Sequence, residues 1–222
     1  MKTNQNIKTF KDIITPEKKV DIPLSSVQFS KSWTFWESYA PKIKSKEFSY
    51  DDANKQVFKW HDLIAFFQFW NKYPGNDIKN IFFDGNNVKF FFNEKYRINS
   101  MNIFKEDIKP MWEDEKNIGG NYFQLEYKVQ KDKIAIFINA ANHNWKKLVL
   151  STMGGELPYS DYINGIRFVD KTDFDRGKII MFRMEVWVGK NMDEKQVEEL
   201  KQYLSKNYGC QNVIVKDIKI QK

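Results

Sequence analysis

The stretch "KPMWEDEKN", Lys109 to Asn117, sets one large aromatic ring, Trp112, beside three carboxylates, Glu113, Asp114 and Glu115. A carboxylate accepts two parallel hydrogen bonds, and the Watson–Crick edge of guanine offers two adjacent donors, N1–H and the N2 amino group. An indole next to a carboxylate therefore suits a guanine: the ring gives it a face and the acid reads its edge. A cationic base such as 7-methylguanine gains more. The indole π-face contributes about 2 kcal/mol toward a desolvated cation, beyond the roughly 1 to 3 kcal/mol of ordinary base stacking. Phosphates attached to such a base need Lys and Arg, which "KTDFDRGKIIMFR" supplies as Lys171, Arg176, Lys178 and Arg183. Composition alone is equally consistent with Trp112 folded back on the core, and for any single one of the four cations a solvated hairpin is the better reading.

Other chemistries have little material. The chain has two histidines, His61 and His143, and one cysteine, Cys210, with no nucleophile elbow and no P-loop, so neither nucleophilic catalysis nor a metal site is expected. Paired acids in "WEDE" could serve general acid–base catalysis, but adjacent loop acids usually belong to a solvated turn. An enzyme is therefore not the expected reading. Lys plus Arg exceed Asp plus Glu by 36 to 29 in 222 residues, a formal charge of +7 that admits anionic partners without naming one. Aromatic residues make up 16% of the chain, enough for stacking surfaces as well as a core. The N-terminal residues lack a signal peptide's apolar stretch, and no apolar run has membrane-spanning length, so a soluble intracellular protein is expected, cytoplasmic or also nuclear.

These residues need elements to position them. Residues 1–28 are polar and without a sustained period, and read as a flexible arm in which "DIPL" can dock locally. From Ser32 onward, "SWTFWESY" and "KQVFKW" read as strands, followed by a helix over 62–73 closed by "PG". "IFFDGNNVKFFF" reads as a hairpin turning at "DGNN", "MNIF" as a short strand, and "NYFQLEYKV" with "KIAIFINA" as a strand pair. A second helix is expected from about Asn144 to Gly154-Gly155. The third starts at a capping box, Asp193 with Gln196, and carries a stripe of Val197, Leu200 and Leu204. "GIRFVD", "KIIMFRMEVWV" and "NVIVKDIKI" supply further strands. The fold class expected is α+β: a single domain over 29–222, with a largely antiparallel sheet carrying three helices on one face and a free opposite face.

"NIFKEDIKPMWEDEKNIGG" closely resembles the signature of the eukaryotic translation initiation factor 4E family of messenger-RNA cap-binding proteins. "SWTFWESY", "LIAFFQFWNKY", "NWKKLVLSTMGGE" and "FRMEVWVGKNMDEKQVEELKQYL" resemble other parts of that family, and the similarity covers most of Ser32 to Lys222. The resemblance implies a curved antiparallel sheet backed by three helices on its convex face, with a 7-methylguanosine cap on the concave side, and no cofactor. It implies that Trp112 is one of two rings sandwiching the base, that Glu113 holds its N1–H and N2 donors, and that Trp187 contacts the N7-methyl group. Lys171 and Arg183 fall at the basic phosphate positions. The first ring is expected at Tyr50, with Phe48 as the alternative. Asn121 stands where a basic residue is common, and the chain near 77–99 is longer than the family's connection. "KDKIAIF", Lys131 to Phe137, is read as an ordinary core strand.

Partners follow from the same resemblance. The first helix is apolar nearly all round, so part of it is buried by another element or forms a docking surface. The family's binding site for the helical motif of a 4G-type scaffold, or of 4E-binding regulators, maps onto Leu63, Phe67, Leu150 and Gly154, with Pro23 adding to it. A monomer recruiting a scaffold for translation initiation is the first expectation. A cap-binding repressor like the 4E homologous proteins, or a general single-strand RNA binder, are the alternatives.

Overall fold

The computed structural model describes residues 27–41, 53–84, 87–88, 96–130, 133–172, 179–210 and 212–219. Its spine is a seven-stranded sheet, curved and antiparallel throughout, in the order β2-β1-β5-β7-β8-β6-β9. The strands are β1 (Gln28–Pro41), β2 (Asn54–Asp62), β5 (Tyr96–Lys105), β6 (Asn121–Gln130), β7 (Ile163–Asp170), β8 (Ile179–Val188) and β9 (Val213–Asp217); β3 (Phe83–Asp84) and β4 (Asn87–Val88) form a separate small pair. Four α-helices are described: α1 (Leu63–Lys72), α2 (Ile78–Phe82), α3 (Ile134–Met153) and α4 (Glu194–Asn207).

Alternation decides what each sheet face carries, because successive strand residues point to opposite sides. In β8, Phe182, Met184, Val186 and Val188 join the main core with Phe35, Ile103, Phe123, Leu125, Ile166 and Phe168 from neighbouring strands. Trp145, Leu148, Val149, Leu200 and Leu204 from α3 and α4 belong to the same cluster, so the helices cover this face. Arg183, Glu185 and Trp187 occupy the other face of β8.

The helix ends follow their sequence signals. The Asp62 carboxylate caps α1 by accepting from the Ala65 amide, and α4 begins with the reciprocal Asp193–Gln196 capping box. "PG" enters a 3-10 turn at Pro74–Asn76 as the chain leaves α1.

Several expectations are corrected. "KIAIFINA" is the first part of the twenty-residue α3 and pairs with no strand, and the helix starts ten residues earlier than Asn144. Ile134 and Ile138 are buried while Ile136 between them is 77% exposed. The deciding period is therefore the helical one, Ile134, Ile138, Ala141, Trp145 and Leu148, and the alternating isoleucines are a coincidence of spacing. Consequently "KDKIAIF" holds no core strand, and β6 pairs instead with β8 and β9. "MNIF" is the middle of the ten-residue β5. Phe83–Asp84 does pair with Asn87–Val88 around the expected turn, but Ile81 and Phe82 before it are helical and buried.

Candidate functional site

The free face of the sheet is organised in rows of cross-strand neighbours. One row runs Thr34, Phe104, Gly165, Trp187, Tyr122 across β1, β5, β7, β8 and β6. The next runs Trp36, Asn102, Arg167, Glu185, Gln124, and the one after it Ser38, Ser100, Val169, Arg183, Glu126. Lys171 follows one step further, its amide donating to the Met181 carbonyl at 2.8 Å. Rows on one face lie about 6.6 Å apart, two strand residues.

The aromatic row forms a second, small cluster of Phe104, Ile108, Tyr122, Trp187 and Ile218, with Trp112 packed on it. Ring centroids of Tyr122 and Trp187 lie 5.4 Å apart, those of Phe104 and Trp187 5.6 Å edge-to-face, and those of Trp112 and Tyr122 6.5 Å. Gly165 is what admits this packing: a Cβ there would stand 2.4 Å from the Phe104 ring.

Trp112 reaches the cluster from a loop whose shape is set by its own polar residues. The Asp114 carboxylate accepts from the amides of Lys109 and Lys116 at 2.8 and 2.9 Å. Asn117, fully buried, donates to the carbonyls of Lys109 and Met111 and accepts from Asn164 at 3.0 Å. Gly120 presses the loop's end on β8, where a Cβ would meet the Val188 carbonyl oxygen at 2.0 Å. The loop is thus fastened to the strand that bears Trp187. Asp114 therefore shapes the loop, whereas Glu113 and Glu115 are exposed.

Trp112 is half-buried with its Nε1 enclosed and unpartnered, so this conformation matches the folded-back alternative more than an open platform. Trp187 is fully buried, and its indole N–H donates to Glu185 Oε2 at 2.8 Å. Arg183 is mostly buried and pairs with Glu185 Oε1 at 2.5 Å, and Lys171 is exposed close to it. Although its side chain reaches solvent, partial desolvation by the surrounding sheet lowers the Lys171 ammonium from its usual range, and the positive Arg183 adds to that shift. Burial alone would raise Glu185, but Arg167, Arg183, the Trp187 N–H and Lys171 outweigh it and hold the carboxyl below its ordinary range. Among the predicted residues, the structure therefore gathers Trp112, Trp187, Arg183 and Lys171 on one side of the sheet, with the exposed Glu113 next to Trp112 in the chain. Tyr50, Phe48, Arg176, Lys178 and Pro23 lie outside the described residues.

On the helical side, Phe67 and Leu150 are 38% and 39% exposed, two of five large apolar side chains that the described residues leave open. Leu63, Ile64, Phe67, Gln68, Asn71 and Lys72 of α1 line a concavity of about 300 Å³. Leu63 is a buried wall of that concavity, and Gly154 is buried at the α3 C-cap. Among the described residues, no cluster of His, Cys, Asp and Glu could hold a metal, and no helix is long and apolar enough to cross a membrane.

The sequence model described as "Eukaryotic initiation factor 4E" matches residues 28–215. This chain belongs to the eukaryotic initiation factor 4E family. It is 26% identical over 193 residues to eukaryotic translation initiation factor 4E of Dictyostelium discoideum, a match covering 86% of this chain and 62% of that protein. The fold is similar to that of Ascaris suum initiation factor 4E-3 in complex with an m2,2,7G cap (TM-score 0.62, 18% identity, 88% of this chain and 93% of that one). It is equally similar to Caenorhabditis elegans initiation factor 4E-3 in complex with the 4E-binding protein Mextli (TM-score 0.62, 18% identity, 86% and 92%).

Reading the sequence missed Arg167, Glu185, Asn102, Tyr122 and Asn117. The signal was present for two of them: the alternation that puts Arg183 and Trp187 on one face of β8 also puts Glu185 there. Arg167 is a charged residue inside the otherwise apolar "GIRFV", a pattern that demands a partner.

Proposed function

We propose that this chain binds the 7-methylguanosine cap of messenger RNA and acts in translation initiation, as a cytoplasmic receptor rather than an enzyme. The observation that carries this reading is the ordering of the free sheet face: Trp112 and Glu113 at the rim, an aromatic row beneath, and cations on the rows beyond it. In this proposal Trp112 parts from Tyr122 and stacks on the methylated base, while the exposed Glu113 carboxylate takes its N1–H and N2 donors. Trp187 then receives the N7-methyl edge, and the phosphates run toward Arg183 and Lys171, with Arg176 and Lys178 on the same connection. Tyr50 supplies the opposing ring. A phenol offers a smaller π-face than an indole, so Tyr50→Trp tightens binding if Tyr50 is that ring.

The partner in this proposal is a helical peptide of a 4G-type scaffold or a 4E-binding regulator, laid on the α1 concavity through Phe67 and Leu150. Relatives complexed with a cap and with a 4E-binding protein support it, as does the exposed apolar surface of α1. Retention on immobilised 7-methyl-GTP, with release by free 7-methyl-GTP and not by GTP, is the expected result. Equal release by both nucleotides overturns cap recognition in favour of a general single-strand binder.

A further inference from the structure

A chain of hydrogen bonds crosses five strands from the sheet edge to the aromatic row. Ser38 Oγ donates to Asn54 Oδ1 at 2.5 Å, and Asn102 Nδ2 donates to Ser38 Oγ at 2.9 Å. Arg167 Nε donates to Asn102 Oδ1 at 2.7 Å, and Arg167 Nη1 lies 3.4 Å from Glu185 Oε2, the oxygen that accepts from Trp187. The Arg167 guanidinium sits 5.4 Å from the centre of the Trp187 ring. Arg167 and Glu185 are both buried, in the row directly beside Trp187.

The charges in this group do not balance. Among the described residues, Arg167 and Arg183, with the exposed Lys171 beyond them, face one carboxylate, Glu185, because the other nearby acids are taken: Asp170 pairs with Arg97, and Glu126 lies 3.3 Å from Lys128. Uncompensated buried cations are costly and call for an anion. Unused donors point the same way. Arg183 Nε and the Gln124 amide nitrogen are buried with no hydrogen-bond partner, and Glu185 meets Arg183 as an ion pair without an aligned hydrogen bond at Oε1. Asn121 does not contribute, since its amide donates to Asp217 at 3.1 Å.

We propose that Arg167 and Arg183, bridged by Glu185, form an anion-reading element, in which a phosphate of the bound nucleotide takes a share of both guanidiniums from Glu185. Arg167 is the added specificity-determining residue, placed one row from the base-contacting ring. Glu185 is a positioning residue: it orients the Trp187 indole and holds the two arginines as an internal counter-ion until the ligand replaces part of that role. The competition tunes how much each phosphate adds to affinity. This inference rests on the cap-binding reading above.

The test is a titration of wild type, Arg167→Gln and Glu185→Gln with three ligands, 7-methylguanosine, its monophosphate and its triphosphate. Arg167→Gln lowers the triphosphate-to-nucleoside affinity ratio at least tenfold. Glu185→Gln raises that ratio, because the counter-ion no longer competes. If both variants weaken all three ligands by one common factor, the pair only supports Trp187 and the inference is overturned. Should Arg167→Gln not fold, Arg167→Lys keeps the charge without the fork, and its expected ratio is below wild type; an unchanged ratio overturns the proposal. A wild type that binds 7-methyl-GTP no better than GTP removes the cap reading itself, whereas preference for 7-methyl-GTP with unaltered ratios in the variants removes only this inference.

Discussion

The two faces of the central sheet are buried to a similar degree by different means. Toward the helices, Phe168 and Phe182 pack against Phe82 and Trp145, and their contribution is non-directional and proportional to area. On the opposite face Asn102, Arg167 and Glu185 are equally hidden, but each is held by named donors and acceptors. The first kind of burial supplies stability and tolerates volume-conserving change. The second yields little net stability and fixes geometry, because every polar atom needs its own partner. A site for a flat base with a fixed edge, as proposed for this face, needs the second kind of burial and leaves the first to the helical side.

The largest expected effect that sharpens this contrast comes from the helical side. Phe182→Ala should lose about 3–5 kcal/mol of unfolding free energy in denaturant titration, as for other large buried rings, while the folded fraction binds 7-methyl-GTP within twofold of wild type. Trp112→Ala should behave inversely. Loss of stacking and cation–π contact costs about 2–4 kcal/mol of binding, with a much smaller change in unfolding midpoint because the ring is only half-buried. Equal losses of stability in the two variants would erase the distinction between the faces.

Phe67→Ala should weaken a 4G-type helical peptide by about 1–2 kcal/mol, the range of a moderate interface anchor, and leave nucleotide binding untouched, read by fluorescence anisotropy of a labelled peptide. A peptide bound equally by both proteins would mean that the patch is misplaced. The smallest effect is in pH. Glu185 has a depressed folded-state pKa, so it contributes stability that is present above its unfolded value near 4.5 and is lost as pH falls through the lower folded value. The stability difference between wild type and Glu185→Gln should therefore be constant from pH 7 to about 5 and shrink below 4.5. A difference that shrinks already above pH 6 would show that the Arg167–Glu185–Arg183 group is not held as described.

Much of this was legible from residue order alone. Alternation in "MFRMEVWV" and the capping box at Asp193 and Gln196 pointed to β8 and α4, and the Trp112 loop with its acids is the part of the sequence on which the proposed site rests. What failed did so for physical reasons. The isoleucines at 134, 136 and 138 match a strand period, while 134 and 138 alone match a helical one, and only packing of Trp145 and Leu148 further along decides for the helix. Arg167 and Asn102 come together from strands far apart in sequence, so their pairing appears only once β5 and β7 are side by side. Asn117 reads as a loop residue like any other, although it is the one that ties Lys109, Met111 and Asn164 together.

The central claim is that Trp112 supplies the face and Glu113 the edge for a methylated guanine. Its most direct measurement follows tryptophan emission while wild type and Glu113→Gln are titrated with 7-methyl-GTP and GTP. Wild type should be quenched at least tenfold more tightly by 7-methyl-GTP than by GTP. Glu113→Gln, isosteric but uncharged, should lose about 1–3 kcal/mol toward 7-methyl-GTP, the value of one good bidentate pair. Undiminished binding of 7-methyl-GTP by Glu113→Gln would contradict the account.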